Sequence, residues 1–294
     1  MNALGTALTL RRLDRRAIQP HLAALDAWLL PDSFYGVAQT WPQLYRSDGD
    51  GAFFGVFDGD TMVSHCATRI VQARTGGELV ACGLLGSVAT APERRGQGFA
   101  TAVLEAALAE LDRHVDHVLL WAENPTLYER LGFAPSVEEA MLVLARRPHP
   151  DLQGCRRMRI EDHAAVAALH AQKPMRIERT PHEMSGLLTT PGMQSLVRER
   201  AGRIVAYACC GKGADLHGTW HEFGGEGPEV ASLLQAGMHV LGQSEASVLL
   251  PPYRTALAGH LGRSVVGNYQ VAGPMVRSLR LPVPQLFVDG LDSV

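Results

Sequence analysis

The segment Arg94-Arg95-Gly96-Gln97-Gly98-Phe99-Ala100-Thr101 has the clearest chemical content in this chain. Two arginines precede two spaced glycines, small residues follow, and Val103, Leu104, Ala107, Leu108 and Leu111 recur at helical spacing, which predicts a helix over residues 98–112. The first amides of a helix are unpaired and lie at the positive end of its dipole, so a glycine turn that lets the backbone approach closely suits a phosphate. The same glycines would also serve a plain strand-to-helix connection, and the surrounding segments decide between the two.

Other motifs are weaker. His221-Glu222 and His182-Glu183 lack the second histidine four residues on that a zinc-binding helix needs, so no metal is expected. Gly211-Lys212-Gly213 has neither the longer spacing nor the following Ser/Thr of a nucleotide-hydrolysing loop. A second glycine run, Gly224-Gly225-Glu226-Gly227, carries no arginine, and Glu226 would put negative charge where a phosphate should lie. Cys66, Cys82, Cys155, Cys209 and Cys210 are odd in number and never spaced as CxxC, which predicts buried thiols.

Hydrophobic periodicity predicts the elements that hold the first turn: strand 7–12, helix 16–29, a short helix 37–45, and strands 52–58 and 61–73 joined at Asp58-Gly59-Asp60. Strand 78–90 leads into the glycine turn. A nearly continuous apolar run over 115–121 reads as a central strand, followed by a short helix 126–131 and a strand 141–144. Prolines and charges at 145–151 break the pattern. Beyond them a similar order returns: helix 162–172, strands 194–198, 204–211 and 219–223, helix 229–241 and strand 246–250.

In this setting Val88-Ala89-Thr90-Ala91-Pro92-Glu93-Arg94-Arg95-Gly96-Gln97-Gly98-Phe99-Ala100 resembles motif A of the Gcn5-related N-acetyltransferase (GNAT) superfamily, and Leu127-Tyr128-Glu129-Arg130-Leu131-Gly132-Phe133 resembles its motif B. The resemblance covers residues 84–135. It implies an α/β acyl-CoA N-acyltransferase fold with a mixed sheet, in two tandem copies of which the second is degenerate. The domains expected are 1–147 (active, acetyl-CoA binding), 148–280 (degenerate) and 281–294 (a docking tail). The implied reaction moves an acetyl group from acetyl-CoA to a primary amine by direct attack in a ternary complex. Val88, Ala89, Thr90, Arg94, Arg95, Gly96, Gln97, Gly98, Phe99, Ala100, Thr101 and Asn124 are the expected cofactor residues.

A lysine-like amine with pKa of about 10.4 is almost wholly protonated at pH 7, and reaching its nucleophilic form costs roughly 4 to 5 kcal/mol. A base must take that proton, and an acid must meet the departing thiolate. The resemblance gives the acid role to Tyr128. Glu123, at the end of the apolar run, is a candidate base acting through water. Asp32, Phe34, Tyr35 and Trp41, with His65, are the expected acceptor-binding residues; their aromatic and acidic mix suits a cation as well as a packed loop.

Tandem halves also resemble the enhanced intracellular survival group of acetyltransferases, although 294 residues leave no room for that group's sterol-carrier-like domain. In such proteins the terminal carboxylate enters the catalytic half. The tail carries Leu286, Phe287, Val288, Leu291 and Val294, too apolar for a free end. Val294 is therefore expected to place a carboxylate near Tyr128 as proton acceptor, or else the tail staples the halves together.

Composition bounds the alternatives. A 46% hydrophobic, 19% charged chain of net charge −3 reads as globular and of two-domain size, and it gives no long-range attraction to nucleic acid or acidic membranes. The N-terminus lacks the layout of a signal peptide, so a cytoplasmic location is expected. A dinucleotide-binding oxidoreductase would need a third glycine where Thr101 stands. A non-catalytic acyl-CoA sensor descended from an enzyme is the remaining rival. The expected partner is a small-molecule or peptide amine; no oligomeric state is predicted.

Overall fold

The computed structural model describes residues 8–46, 49–122, 124–136, 138–213, 216–280 and 286–294. Strand β1 (Leu8–Leu13) is followed by helix α1 (Leu22–Leu29) and the single turns α2 (Val37–Thr40) and α3 (Pro42–Tyr45). A meander of β2 (Ala52–Asp58), β3 (Thr61–Thr75) and β4 (Glu78–Thr90) then feeds helix α4 (Phe99–Leu111) and β5 (His117–Leu120). The short α5 (Thr126–Glu129) and β6 (Ala134–Pro135) follow.

Next come β7 (Glu139–Ala145), β8 (Cys155–Arg157), α6 (His163–His170), β9 (Arg176–Ile177) and α7 (Pro181–Leu188). A second meander, β10 (Gln194–Arg200), β11 (Arg203–Cys210) and β12 (Trp220–Gly225), feeds α8 (Gly227–Val240) and β13 (Glu245–Leu250). Helix α9 (Leu257–Leu261) and strands β14 (Val265–Val271) and β15 (Met275–Ser278) precede the tail. Among the described residues no helix is long and apolar enough to cross a membrane.

The two halves repeat one plan. In each, three antiparallel strands lead through a helix to a strand parallel to the third, β4 with β5 and β12 with β13. The apolar stripe of α4 packs with Phe54, Val63 and Leu85 on one face of the first sheet, and α8 buries Val230, Leu233, Leu234 and Met238 against the second. Each sheet is thus covered by a helix that a right-handed crossover lays across it.

The expected strand 141–144 forms, but as part of β7 it lies in the second sheet, between β13 and β14, rather than closing the first. Its counterpart β15, late in the sequence, crosses back and pairs with β5 and β6. The strands therefore cross the expected division at residues 147 and 148. The physical reason is reciprocal completion: each parallel strand, β5 and β13, needs an antiparallel neighbour on its outer edge, and each half supplies the other's. Arg277 on β15 fixes the exchange by reaching both carboxylate oxygens of Asp112 at 2.9 Å.

Candidate active site

Strands β4 and β5 pair over Cys82–His117, Gly83–Val118 and Leu84–Leu119, and beyond Leu84 no further pair joins them among the described residues. The remainder of β4, through Val88, Ala89 and Thr90, opens away from β5 and leaves an unpaired strand edge. Where the strands part, the β3–β4 register shifts between His65 and Ala67, and Ser87 adopts φ 51°, a left-handed conformation uncommon for a non-glycine residue.

The glycine turn lies at the far end of this opening. Gly96 and Gly98 have φ 75° and 81°, and a Cβ at either would meet nothing within 4 Å. Gly98 is the N-cap of α4 and no side chain caps its first amides, so an uncapped helix start faces open space. Arg95 is exposed beside it, with Nε donating to the Thr90 carbonyl at 3.3 Å. Arg94 differs from expectation: one guanidinium nitrogen pairs with Asp58 at 2.7 Å and the group lies over the Phe99 ring, so it braces the turn against the β2–β3 hairpin. Gln97 is exposed, whereas Phe99, Ala100 and Thr101 are half-buried in the first helical turn. Asn124 accepts the Thr126 amide at 3.2 Å and so starts α5.

Helix α5 carries Tyr128, whose ring meets Phe133 edge-on and packs on the α4-side core. Burial, helped by nearby Cys66, pushes its phenol above the ordinary value, so it holds its proton through neutral pH. Glu123 lies outside the described residues. His65 is corrected: it is fully buried, stacked on Phe53, and its Nδ1 is 2.9 Å from the Ser87 carbonyl. Burial pushes its pKa down to about 4, and it supports the Ser87 bulge from beneath instead of touching an acceptor.

Two cavities meet at the junction of the halves. One of about 660 Å³ is lined by Asp32, Phe34 and Tyr35 together with Gly192, Lys212 and His217 of the second half. A smaller one of about 210 Å³ is lined by Trp41, Ser87, Val88, Lys212, Ser293 and Val294. They share Leu29, Leu30, Lys212 and Gly213. Of the expected acceptor residues other than His65, Asp32, Phe34 and Tyr35 thus line the larger cavity and Trp41 the smaller. Val88 joins the two environments: it packs with the Tyr128 core and also lines the cavity that ends at Val294.

The tail reaches this place because three charged clusters hold it. Arg179, from the loop before α7, reaches Glu222 and Asp292, and Lys173 reaches Glu222 and Asp289 at 3.3 and 2.9 Å. Burial alone would raise the Glu222 carboxyl, but Arg179 and Lys173 bring it well below the ordinary range. Arg69 on β3 adds Asp50 and Glu183 at 2.6 Å each, with Asp292 at 3.7 Å. His170, Glu222 and Asp289 lie close enough together to suggest a metal, but the Lys173 ammonium already bonds both carboxylates. At the end of the tail Gly86 is indispensable: a Cβ there would lie 2.2 Å from a main-chain oxygen of Val294.

In the second half β12 and β13 pair only at Trp220–Val248 among the described residues, so these strands part as well, but the start of α8 is covered. The Gly225 carbonyl accepts from Arg254, and a Cβ on Gly227 would lie 2.7 Å from the His260 ring. The loop and helix after β13 therefore cover the start of α8. All five cysteines are free, and burial raises each thiol, Cys82 and Cys209 to about 12.

Sequence reasoning weighed Lys212 only as part of a nucleotide loop and overlooked Arg179 and Lys173. A signal was present, since Asp289 and Asp292 are acids in an otherwise apolar segment, and buried acids require cations.

Residues 16–136 match the family described as acetyltransferase (GNAT) domain. No curated protein matches by sequence. Among solved structures, a conserved Enterococcus faecalis protein described as a probable N-acyltransferase superposes with TM-score 0.71 at 14% identity, covering 93% of this chain and 73% of that one. Eis1 from Mycobacterium abscessus gives 0.60 at 14%, covering 93% and 74%. N-myristoyltransferase from Saccharomyces cerevisiae, with bound myristoyl-CoA, gives 0.63 at 11%, covering 100% and 83%. At these identities the likeness shows the fold, and it extends over both halves.

Proposed function

We propose, because residues 16–136 match the acetyltransferase (GNAT) domain family, that this protein transfers an acetyl group from acetyl-CoA to a primary amine within a ternary complex. The observation that carries the proposal is the open glycine turn at the uncapped start of α4, in line with the unpaired edge of β4. Acyl transfer is the family's chemistry; acetyl as the group and an amine as the acceptor are the finer parts of the proposal.

In this reading the pyrophosphate lies on the amides following Gly96 and Gly98, with Arg95 beside it, and the edge of Val88 to Thr90 pairs with the pantetheine arm. The acceptor enters the larger cavity past Asp32, Phe34 and Tyr35, whose acidic and aromatic character suits an ammonium ion. The amine nitrogen attacks the thioester carbonyl, its C–N bond forming as the C–S bond breaks. The Val294 carboxylate takes the amine proton and Tyr128 protonates the departing thiolate; solvent then returns the proton from one to the other. The second half binds no coenzyme A, and the division into an acetyl-CoA half and a cofactor-free half belongs to the same proposal.

Gly98→Asp tests the assignment, since a carboxylate would enter the anion site. Calorimetry should show acetyl-CoA affinity falling by a hundredfold or more, and unchanged affinity removes the cofactor site. Thiol release with a panel of amines then separates an enzyme from an acyl-CoA sensor, because a sensor would bind acetyl-CoA and release nothing.

A further inference from the structure

Gly211-Lys212-Gly213 has no place in cofactor binding, yet its lysine lines both cavities. The flanking glycines have φ 76° and 57°, which lets the loop turn sharply after β11 and send the side chain inward. Lys212 is 4% exposed, and its ammonium meets no carboxylate at bonding distance among its recorded partners. It donates instead to the carbonyls of Gly290, Leu291 and Ser293 at 3.0, 2.9 and 2.9 Å, and it lies 3.1 Å from Ser293 Oγ.

Those carbonyls lie in and just after the single 3-10 turn Gly290–Asp292, where no further turn exists to donate to the carbonyls of Leu291 and Ser293; the Gly290 carbonyl also accepts from the Ser293 hydroxyl at 2.8 Å. A cation at such an end satisfies the carbonyls and favours their dipole. The Ser293 carbonyl also accepts from Gln43 Nε2 at 2.9 Å, so the last peptide is gripped by one side chain from each half. Immediately beyond it, Val294 lies against Gly86 at the bulge of β4.

We propose that Lys212 is a positioning residue for the acetyl-transfer site: it seats the terminal segment against the β4 bulge and thereby makes the second half a working part of the first. The role rests on the reading of Val294 as the proton acceptor. Burial pushes the lysine's pKa down to about 7, Asp292 and Glu222 opposing that shift while Arg179 and Arg69 add to it. Such a buried cation is maintained at a cost, which a side chain serving only to fill space would not incur.

Lys212→Met keeps the bulk and removes the donors, and Lys212→Arg keeps a donor. Hydrogen exchange of the C-terminal peptide, followed by mass spectrometry, reads the seating directly; turnover and acetyl-CoA affinity read its consequence. The expected result for Lys212→Met is exchange of that peptide at least tenfold faster and kcat at least tenfold lower. Acetyl-CoA Kd should stay within twofold, circular dichroism should be native, and Lys212→Arg should recover part of kcat. A terminal peptide still protected in Lys212→Met overturns the proposal. So does a freed peptide with undiminished kcat. Adding one alanine after Val294 in the otherwise unaltered protein distinguishes the two failures: loss of kcat there keeps Val294 as proton acceptor and discards Lys212 alone, whereas full activity discards both.

Discussion

In the proposed reaction Tyr128 is the acid, a phenol whose surroundings raise its pKa. Because burial raises it above its ordinary value of about 10, the hydroxyl remains a proton donor across the working range. Tyr128→Phe leaves the edge-on packing against Phe133 in place and removes only the donor. Turnover should fall roughly ten- to a thousandfold, the usual weight of an acid–base group, with acetyl-CoA affinity unchanged. Steady-state kinetics beside calorimetry would check it, and full activity would make Tyr128 a packing residue. The glycine turn was legible in sequence because Gly96 and Gly98 answer a local backbone demand, whereas Tyr128 was singled out only through its motif resemblance. His65 was not legible: a histidine in an alternating strand reads the same whether it faces a cleft or, as here, props a bulge under an aromatic stack.

At the scale of elements, β2 and β4 match their predicted bounds, the Asp58-Gly59-Asp60 turn ending β2 and Gly76-Gly77 and Pro92 bracketing β4. Helix α7 escaped notice although Thr180 and Glu183 cap one another reciprocally at 3.2 and 2.6 Å, a pattern visible in Thr-Pro-His-Glu. Strands β14 and β15 escaped for a sounder reason: β14 is an exposed edge and β15 has four residues, so neither shows a strong period. Strand β7 begins with Glu139, 7% exposed, one carboxylate oxygen of which has no partner. Burial first, and Asp289 second, raise its pKa to about 7. Here the folded state binds the proton more tightly than the unfolded chain. This contribution to stability is therefore complete below the unfolded pKa of about 4.3 and declines until pH passes about 7. Glu139→Gln should flatten that slope and gain up to about 3 kcal/mol at pH 8. Urea titrations at pH 5 and pH 8 would reveal it, and parallel slopes for the two proteins would refute it.

Across the whole molecule, the tail and the two halves are fastened by charges withdrawn from water. Arg179 is the centre of that fastening, reaching Glu222 and Asp292 through five hydrogen bonds of 3.2 Å or less. Removing one member of a buried ionic group strands the others, so Arg179→Met should cost about 3 to 5 kcal/mol. Denaturant unfolding measures this, and a loss below about 1 kcal/mol would show the carboxylates relaxing to other partners. Sequence pattern could not foresee which cation meets which acid, because Lys173–Asp289 and Arg179–Asp292 join residues over a hundred positions apart and the pairs with Glu222 over forty.

The exchange of β7 and β15 carries a consequence for how the protein is made. A ribosome delivers β5 long before β15, so the first sheet waits with its outer edge open until residues 275–278 have emerged, while β7 waits for β13. Neither half can close early in synthesis, and the nascent chain passes through a long interval with exposed strand edges that invite pairing with other chains. The price of joining two halves into one site is thus met during translation, where a helper that shields unfinished sheets would have most to do.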